Sequence, residues 1–164
     1  MWIIPEWLIP WFSCIGTAII AIGTVVIAAS IVFLRGQLKS AEKDRHSDLL
    51  MRFSERWESL WLRQGREAIW KLVQAKQNLS EAIDTYENTN VREMLKLTSV
   101  GDFFEDMGFL AKNEYLKPLS VIEALFGPSI EKYYQLYAPY IKKHKAERVY
   151  DQFEWLANNI KKKS

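Results

Sequence analysis

Residues 11–34 contain no charged side chain, and this stretch restricts the fold of the chain more than any other feature. It lies between Pro10 and Arg35. At about 1.5 Å of rise per residue, an α-helix of this length reaches roughly 36 Å, enough to cross a hydrocarbon core of about 30 Å with some tilt. The sequence therefore predicts a membrane-spanning helix over residues 11–34.

A cleaved signal peptide is the main alternative for this stretch, and the residues fit it poorly. Signal peptides have a basic start, an apolar core of about 7–15 residues and a cleavage site of small residues. No Lys or Arg precedes Arg35, and the small residues Ala28, Ala29 and Ser30 are followed by further apolar residues up to Leu34. We therefore expect a retained anchor.

The two flanks of the predicted span differ in charge. Glu6 is the only charged residue before it, whereas four basic residues follow it closely: Arg35, Lys39, Lys43 and Arg45. The positive-inside rule places the basic side in the cytoplasm, where these residues are expected to contact anionic lipid headgroups. The prediction is a single-pass protein of the inner membrane with its N-terminus outside. Its segments are an extracytoplasmic tail (1–10), the transmembrane helix (11–34), a juxtamembrane helix (35–48) and a cytoplasmic helical domain (49–164).

The predicted cytoplasmic part is nearly balanced in charge. All 22 Lys and Arg residues lie beyond Leu34 together with 19 of the 20 acidic residues, a formal charge of +3. A chain segment of this length can bury one core. So small an excess argues against a binder of duplex nucleic acid, which needs a broad basic face. The single cysteine, Cys14, excludes a disulfide framework and a cysteine-rich zinc site.

Hydrophobic residues recur at three- and four-residue steps throughout this part, which predicts an irregular all-α bundle. We expect a helix from Leu49 to Trp61 broken near Gly65, a helix capped by Asn88-Thr89-Asn90, a short helix closed by Gly127-Pro128, and a last helix from Val149. Gly101 and Gly108 predict a close helix crossing. The interior is expected to hold Trp57, Trp61, Trp70 and Trp155, and the alternative is that they form an exposed surface for a partner.

Small and hydroxyl residues share one arc of the predicted span. At about 100° per residue they lie within less than half of the helix circumference: Ser13, Gly16, Thr17, Gly23, Thr24 and Ser30. Such residues let transmembrane helices approach closely, so the arc predicts a homo-oligomer. The alternative is that small residues are simply frequent in spans.

The strongest candidate for ligand binding is a basic cluster near the C-terminus with two aromatic neighbours: Lys142, Lys143, His144, Lys145, Arg148, Tyr140 and Tyr150. Cations that meet phosphates beside rings that stack on bases would suit an anionic ligand such as a cyclic oligonucleotide. The alternative is a solvated helix end, favoured by the helix dipole.

The sequence predicts no enzyme, no metal site and no cofactor. The two histidines, His46 and His144, are far apart and have no partner at zinc spacing. Acidic neighbours such as Glu105 and Asp106 are more typical of a solvated rim, or of ion pairs with Arg52 or Arg56, than of acid–base catalysis. There is no phosphate-binding loop and no nucleophile elbow.

Several segments resemble an uncharacterised family of bacterial and phage proteins. They are FFEDMGFL at residues 103–110, LFG at 125–127, the Tyr-rich segment that follows, and YDQFEWLA at 150–157. The resemblance implies one N-terminal span, a small helical cytoplasmic domain and no particular activity. In architecture alone, the chain is also similar to CRISPR-associated membrane effectors that bind cyclic tetra-adenylate. That likeness assigns no site residue.

Two classes of function are compatible with these features. One is a self-associating membrane effector whose cytoplasmic domain senses an anionic ligand and perturbs the membrane, as in antiviral defence. The other is a passive membrane tether whose helical domain recruits a protein partner. The arc of small and hydroxyl residues on one face of the predicted span favours the effector.

Overall fold

The computed structural model describes the backbone of residues 9–161 and, within them, the side chains of residues 24, 26, 27 and 29–160. The described backbone is helical throughout and contains no strand, which confirms the all-α prediction for this part of the chain. The helices are α1 (Ile9–Glu58), α2 (Leu60–Gln74), α3 (Leu79–Thr89), α4 (Val91–Lys112), α5 (Leu119–Lys143) and α6 (Asp151–Lys161), with a 3₁₀ turn at Lys145–Glu147.

The chain divides into two compact units, of which the first ends at Arg45 and the second begins at His46. Over the described residues, none of the helices has both the length and the apolar character that a membrane crossing requires. Most of the predicted span falls outside that comparison, because the side chains of residues 9–23, 25 and 28 lie outside the described set. Residues 1–8 of the predicted tail lie outside it as well.

Helix α4 is the centre of the unit that begins at His46, since α2, α3, α5 and α6 all contact it. Its side chains Val100, Phe103, Phe104 and Met107 are completely buried. The Trp57 ring of α1 lies 5.1 Å from the Phe103 ring and adds a large aromatic surface to this core.

Two glycines allow helices to pack with their backbones in close contact: Gly65 where α2 meets α4, and Gly108 where α4 meets α6. A Cβ on Gly65 of α2 would lie 2.7 Å from the Lys96 carbonyl oxygen, and a Cβ on Gly108 of α4 would lie 2.7 Å from the Gln152 carbonyl carbon. No side chain fits at either position, so glycine is required there by packing. The predicted close crossing at Gly108 is confirmed, with α6 as the second helix.

Two predicted helix ends are wrong. The break falls at Ser59, whose hydroxyl caps α2 by accepting from the Leu62 N–H at 3.4 Å, while Gly65 lies buried inside α2. Helix α5 also continues through Pro128. Proline removes one helical hydrogen bond and costs about 3 kcal/mol or more. Burial of Phe126 and Ile130 on either side offsets that loss.

Other local predictions had mixed outcomes. Asn90 caps α4, its side-chain oxygen accepting from the Glu93 N–H at 3.3 Å, as the Asn-Thr-Asn segment predicted. The prediction of interior tryptophans is wrong for Trp61 and Trp70, which are 43% and 48% exposed. Helix α2 buries one face only, and Trp61 points about 100° away from the buried Leu62 on that face.

Candidate functional site

The basic cluster predicted to bind a ligand lies where α5 ends. Lys142 and Lys143 occupy the last turn of α5, His144 is its C-cap, and Lys145 begins the 3₁₀ turn. Arg148 ends that turn in a left-handed conformation with φ of 58°. Cations at this position interact favourably with the negative end of the α5 dipole.

Much of the positive charge in this cluster is matched by acidic residues of the same chain. Lys143 forms an ion pair with Asp84 of α3, and Lys145 lies 3.6 Å from Glu154 of α6. The two ring nitrogens of His144 face Glu147 at 3.2 Å and Asp84 at 3.5 Å. The hydrogen bond from Lys143 and the nearby charge hold the pKa of the Asp84 carboxyl below its ordinary value.

The two tyrosines predicted to stack on a ligand occupy different environments. Tyr140 packs its ring on His144, with centroids 4.5 Å apart. Tyr150 is buried, and its hydroxyl donates to Asp102 at 2.9 Å and contacts the Thr98 carbonyl oxygen at 3.2 Å. Burial raises the pKa of the Tyr150 hydroxyl. In this arrangement Tyr150 is part of the core and has no free face for a base.

Tyr137 and Tyr150 approach α4 at Gly101. The Gly101 N–H donates to the Tyr137 hydroxyl at 3.1 Å, and that hydroxyl donates to the Leu97 carbonyl oxygen. A Cβ on Gly101 would lie 2.8 Å from the Tyr137 ring. This buried polar network explains why the tyrosines of this region are structural.

A cavity of about 350 Å³ lies beside the basic cluster, between α5 and α6. Its lining consists of Tyr134, Ala138, Ile141, Lys142, Lys145 and Glu154. Among the described residues, no acidic side chain pairs with Lys142 or Arg148. These two cations are therefore the part of the predicted ligand site that remains open to an anion.

A second candidate site was missed by the sequence reasoning and lies between α2 and α4. It is a small cavity of about 150 Å³, here called the α2–α4 notch, lined by Arg56, Ser59, Trp61, Leu62, Leu95, Ser99 and Asp102. Trp61 and Leu95 form exposed apolar walls, and Leu95 is 47% exposed. Val91, one turn before Leu95 on α4, extends the apolar surface.

The polar end of the α2–α4 notch holds the Asp102 carboxylate beside Arg56, which is paired with another acidic residue. Arg56 pairs with Asp106, its Nη1 lying 2.7 Å from the carboxylate oxygen. Within the described part of the chain, Asp102 forms no ion pair and accepts only hydrogen bonds such as that from Tyr150. Partial burial raises the pKa of the Asp102 carboxyl.

The acidic residues considered for catalysis have structural partners. Glu105 accepts a hydrogen bond from the Phe153 N–H at 2.7 Å and thereby caps α6 from a distant helix. Burial raises the pKa of the Glu105 carboxyl. Over the residues that the structure describes, no three His, Cys, Asp or Glu side chains are placed to hold a metal ion.

The residues predicted for self-association are only partly described. The side chains of Ser13, Gly16, Thr17 and Gly23 lie outside the described set, while Thr24 and Ser30 are exposed. Ser30 donates to the Val26 carbonyl oxygen of its own helix at 2.8 Å. The residues predicted to meet lipid headgroups, Arg35, Lys39, Lys43 and Arg45, are all exposed.

Comparison with known proteins yields one match. No curated protein and no solved structure matches the chain. The model of a domain of unknown function, DUF4760, matches residues 17–160 and so includes much of the charge-free stretch together with all of the helical unit up to Ile160. On this match the chain belongs to the DUF4760 family.

Proposed function

We propose that this chain is a single-pass membrane tether that presents a helical protein-binding domain in the cytoplasm. The proposal starts from the uncharged residues 11–34 and the basic residues that follow them from Arg35 to Arg45. The DUF4760 match begins at residue 17, inside the uncharged stretch. A stretch that lies partly inside the matched family domain is more consistent with an anchor that is kept than with a leader that is removed.

Membrane fractionation tests the anchoring. The full chain should remain in the membrane pellet after alkaline carbonate extraction. A variant with Ile19, Ile22 and Val26 changed to Lys should instead appear in the soluble fraction. A fluorescent protein fused after Ser164 should be bright, and periplasmic alkaline phosphatase fused there should be inactive. Recovery of the unmodified chain in the soluble fraction would contradict the proposal.

One observation favours protein recruitment over ligand sensing: the exposed Trp61 and Leu95 flank the α2–α4 notch while much of the basic cluster is paired internally. Apolar side chains that remain exposed beside a small cavity are typical of a docking surface for another protein. Cations already paired with Asp84 and Glu154 gain less from an external anion, because binding must first break those pairs.

Co-purification from membranes in mild detergent tests recruitment. A bound partner should be lost from the Trp61→Ala and Leu95→Ala variants, since these remove the notch walls. Phe109→Ala and Leu125→Ala are matched controls, because both residues are exposed and apolar but do not line the notch. A partner that is retained by the notch variants, or lost equally from the controls, would exclude this surface.

A ligand-gated membrane effector is the second candidate function, and the α5–α6 cavity favours it. Lys142 and Lys145 border this cavity of about 350 Å³, which lies within the usual size range of small-ligand sites. An anion bound there would add contacts between α5 and α6 and favour one arrangement of the helical domain. In a homo-oligomer that associates through its spans, that arrangement would alter how the spans pack in the membrane. Calorimetry with cyclic tetra-adenylate should then show binding that Lys142→Ala and Arg148→Ala abolish, together with ligand-dependent loss of membrane potential. If cyclic tetra-adenylate does not bind, the effector function is excluded for this ligand and the tether function remains.

A further inference from the structure

The volume and position of the α2–α4 notch restrict what it can hold. A space of about 150 Å³ is below the range of about 300–1,000 Å³ typical of small-molecule and cofactor sites. It is of the size that receives one apolar side chain. Open apolar surface continues from the notch along α4 through Leu95 to Val91, which is 56% exposed. The surface therefore suits a partner that inserts one anchor and extends beyond it.

The outward face of α4 has the spacing of a helix-packing seam. Val91, Leu95, Thr98 and Asp102 follow one another at steps of four, three and four residues, so they form one row on the helix surface. The first half of this row is apolar, and the second half carries the Asp102 carboxylate. A partner that packs along the row meets apolar side chains at one end and a negative charge at the other.

Charge complementarity decides the chemistry of the partner. Among the described residues Asp102 forms no ion pair, since the neighbouring Arg56, whose charge also acts on Asp102, is paired with Asp106. Asp102 is exposed, and the hydrogen bond from the Tyr150 hydroxyl at 2.9 Å fixes the position of its carboxylate. A cation supplied from outside can therefore form a charge-assisted hydrogen bond with a carboxylate that is already positioned.

We propose that the α2–α4 notch binds an amphipathic helix of a partner protein that carries an apolar anchor and, two to three turns away, a Lys or Arg. The anchor fills the space between Trp61 and Leu95, apolar neighbours cover Val91, and the cation faces Asp102. A helix fits because the groove is formed by two packed helices, and the helix-in-groove mode places its contacts at three- and four-residue steps. This inference deepens the proposed tether function by naming the class of partner.

Selection of displayed helical peptides on the full-length protein in nanodiscs tests the proposal. Helical 18-residue peptides with randomised outer faces are selected on the native chain after depletion on the Trp61→Ala variant. Enriched sequences should share an apolar anchor and a Lys or Arg two to three turns away. Their affinity, measured by fluorescence anisotropy, should fall about 10-fold or more for Trp61→Ala and Leu95→Ala, and be unchanged for Phe109→Ala.

The charge contact has its own measurement. Asp102→Asn keeps an oxygen that accepts from Tyr150 and so preserves the fold, but it should weaken peptide binding about 10-fold and remove most of its salt dependence. Asp102→Lys should instead favour peptides in which the cation is replaced by Glu. Equal affinity for native and Asp102→Asn chains, or enriched peptides that lack a cation, would overturn the proposal.

The outcomes separate this inference from the function on which it rests. If a partner is lost with Trp61→Ala but selected peptides show no charge preference, the tether function stands and the cationic-helix inference fails. If neither a peptide nor a partner depends on Trp61, both fail. If size measurement shows that the notch variants only disrupt dimers of this chain, a second copy is the occupant and the proposed partner class is wrong.

Discussion

Glycine-to-alanine substitutions at two positions should differ in their effect on stability. A Cβ on Gly108 of α4 would lie 2.7 Å from the Gln152 carbonyl carbon, an atom that moves only if α6 moves. Such overpacking costs about 1–3 kcal/mol, and the higher helix propensity of alanine returns about 0.5–1 kcal/mol. We therefore expect Gly108→Ala to destabilise the helical unit by about 1–2 kcal/mol.

Gly127→Ala is the matched control in α5. Beyond its chain neighbours, the only atom near its Cβ among the described residues is Glu123 Cγ at 3.5 Å, an ordinary van der Waals contact. A Cβ before Pro128 in a helix also meets the proline ring, which offsets the gain of about 0.5–1 kcal/mol from helix propensity, so Gly127→Ala should change stability little. The expected gap between the two variants is about 1–2 kcal/mol, or about 5 °C in melting temperature for a unit of this size.

Thermal unfolding followed by circular dichroism at 222 nm, on the full chain in mild detergent, measures this gap. The sign of the difference is more informative than its size, because both variants make the same chemical change inside a helix. If Gly108→Ala melts at or above the temperature of Gly127→Ala, α6 does not cross α4 at backbone distance. The assignment of α4 as the central helix would then be wrong.

Three further variants test polar contacts of the helical unit. Tyr137→Phe should cost about 1 kcal/mol in urea unfolding, because it removes the buried hydrogen bonds of the hydroxyl with the Gly101 N–H and the Leu97 carbonyl oxygen. Burial raises the pKa values of Asp102 and Glu105, so their contribution to stability is complete below their ordinary pKa values and is lost as pH rises through the raised ones. Unfolding measured from pH 4 to 8 should therefore show Asp102→Asn/Glu105→Gln gaining stability relative to the native chain as pH rises, and a constant difference would contradict this. The lowered pKa of Asp84 has the opposite sign, so Asp84→Asn should remove stability at pH 7, by about 0.5–1 kcal/mol, and this loss should shrink as pH falls through the lowered pKa.

Local signals in the sequence predicted most of the helices and one of their caps. The cap at Asn90 depends only on neighbouring backbone groups, so three residues were enough to identify it. The role of Gly65 depends on Lys96 of another helix, which no local pattern contains. Pro128 is similar, because the burial that keeps α5 continuous comes from residues far away in the chain.

The candidate site was harder to predict because the exposure of a side chain depends on which distant residues pack around it. Periodicity identified Trp61 as part of an apolar run, but only packing decides that Leu62 faces the core and Trp61 the solvent. The basic cluster was visible in the sequence, whereas its partners Asp84 and Glu154 lie on other helices. Tyr150 was assigned to the ligand site for the same reason, since its contact with Asp102 joins residues 48 positions apart.

The position of the notch on α4 also bears on how the protein would act. Gly101 and Gly108 bring the tyrosines and α6 onto α4, and its buried side chains are shared with four other helices, so α4 should open only with the whole unit. Amide hydrogen exchange should therefore be slowest at residues 97–107. A partner docked on so rigid a helix has little conformational change to transmit, which favours recruitment over gating. If a notch-binding peptide alters exchange at α5 and α6 as well as at α2 and α4, the surface is coupled to the basic cluster and the effector becomes the better description.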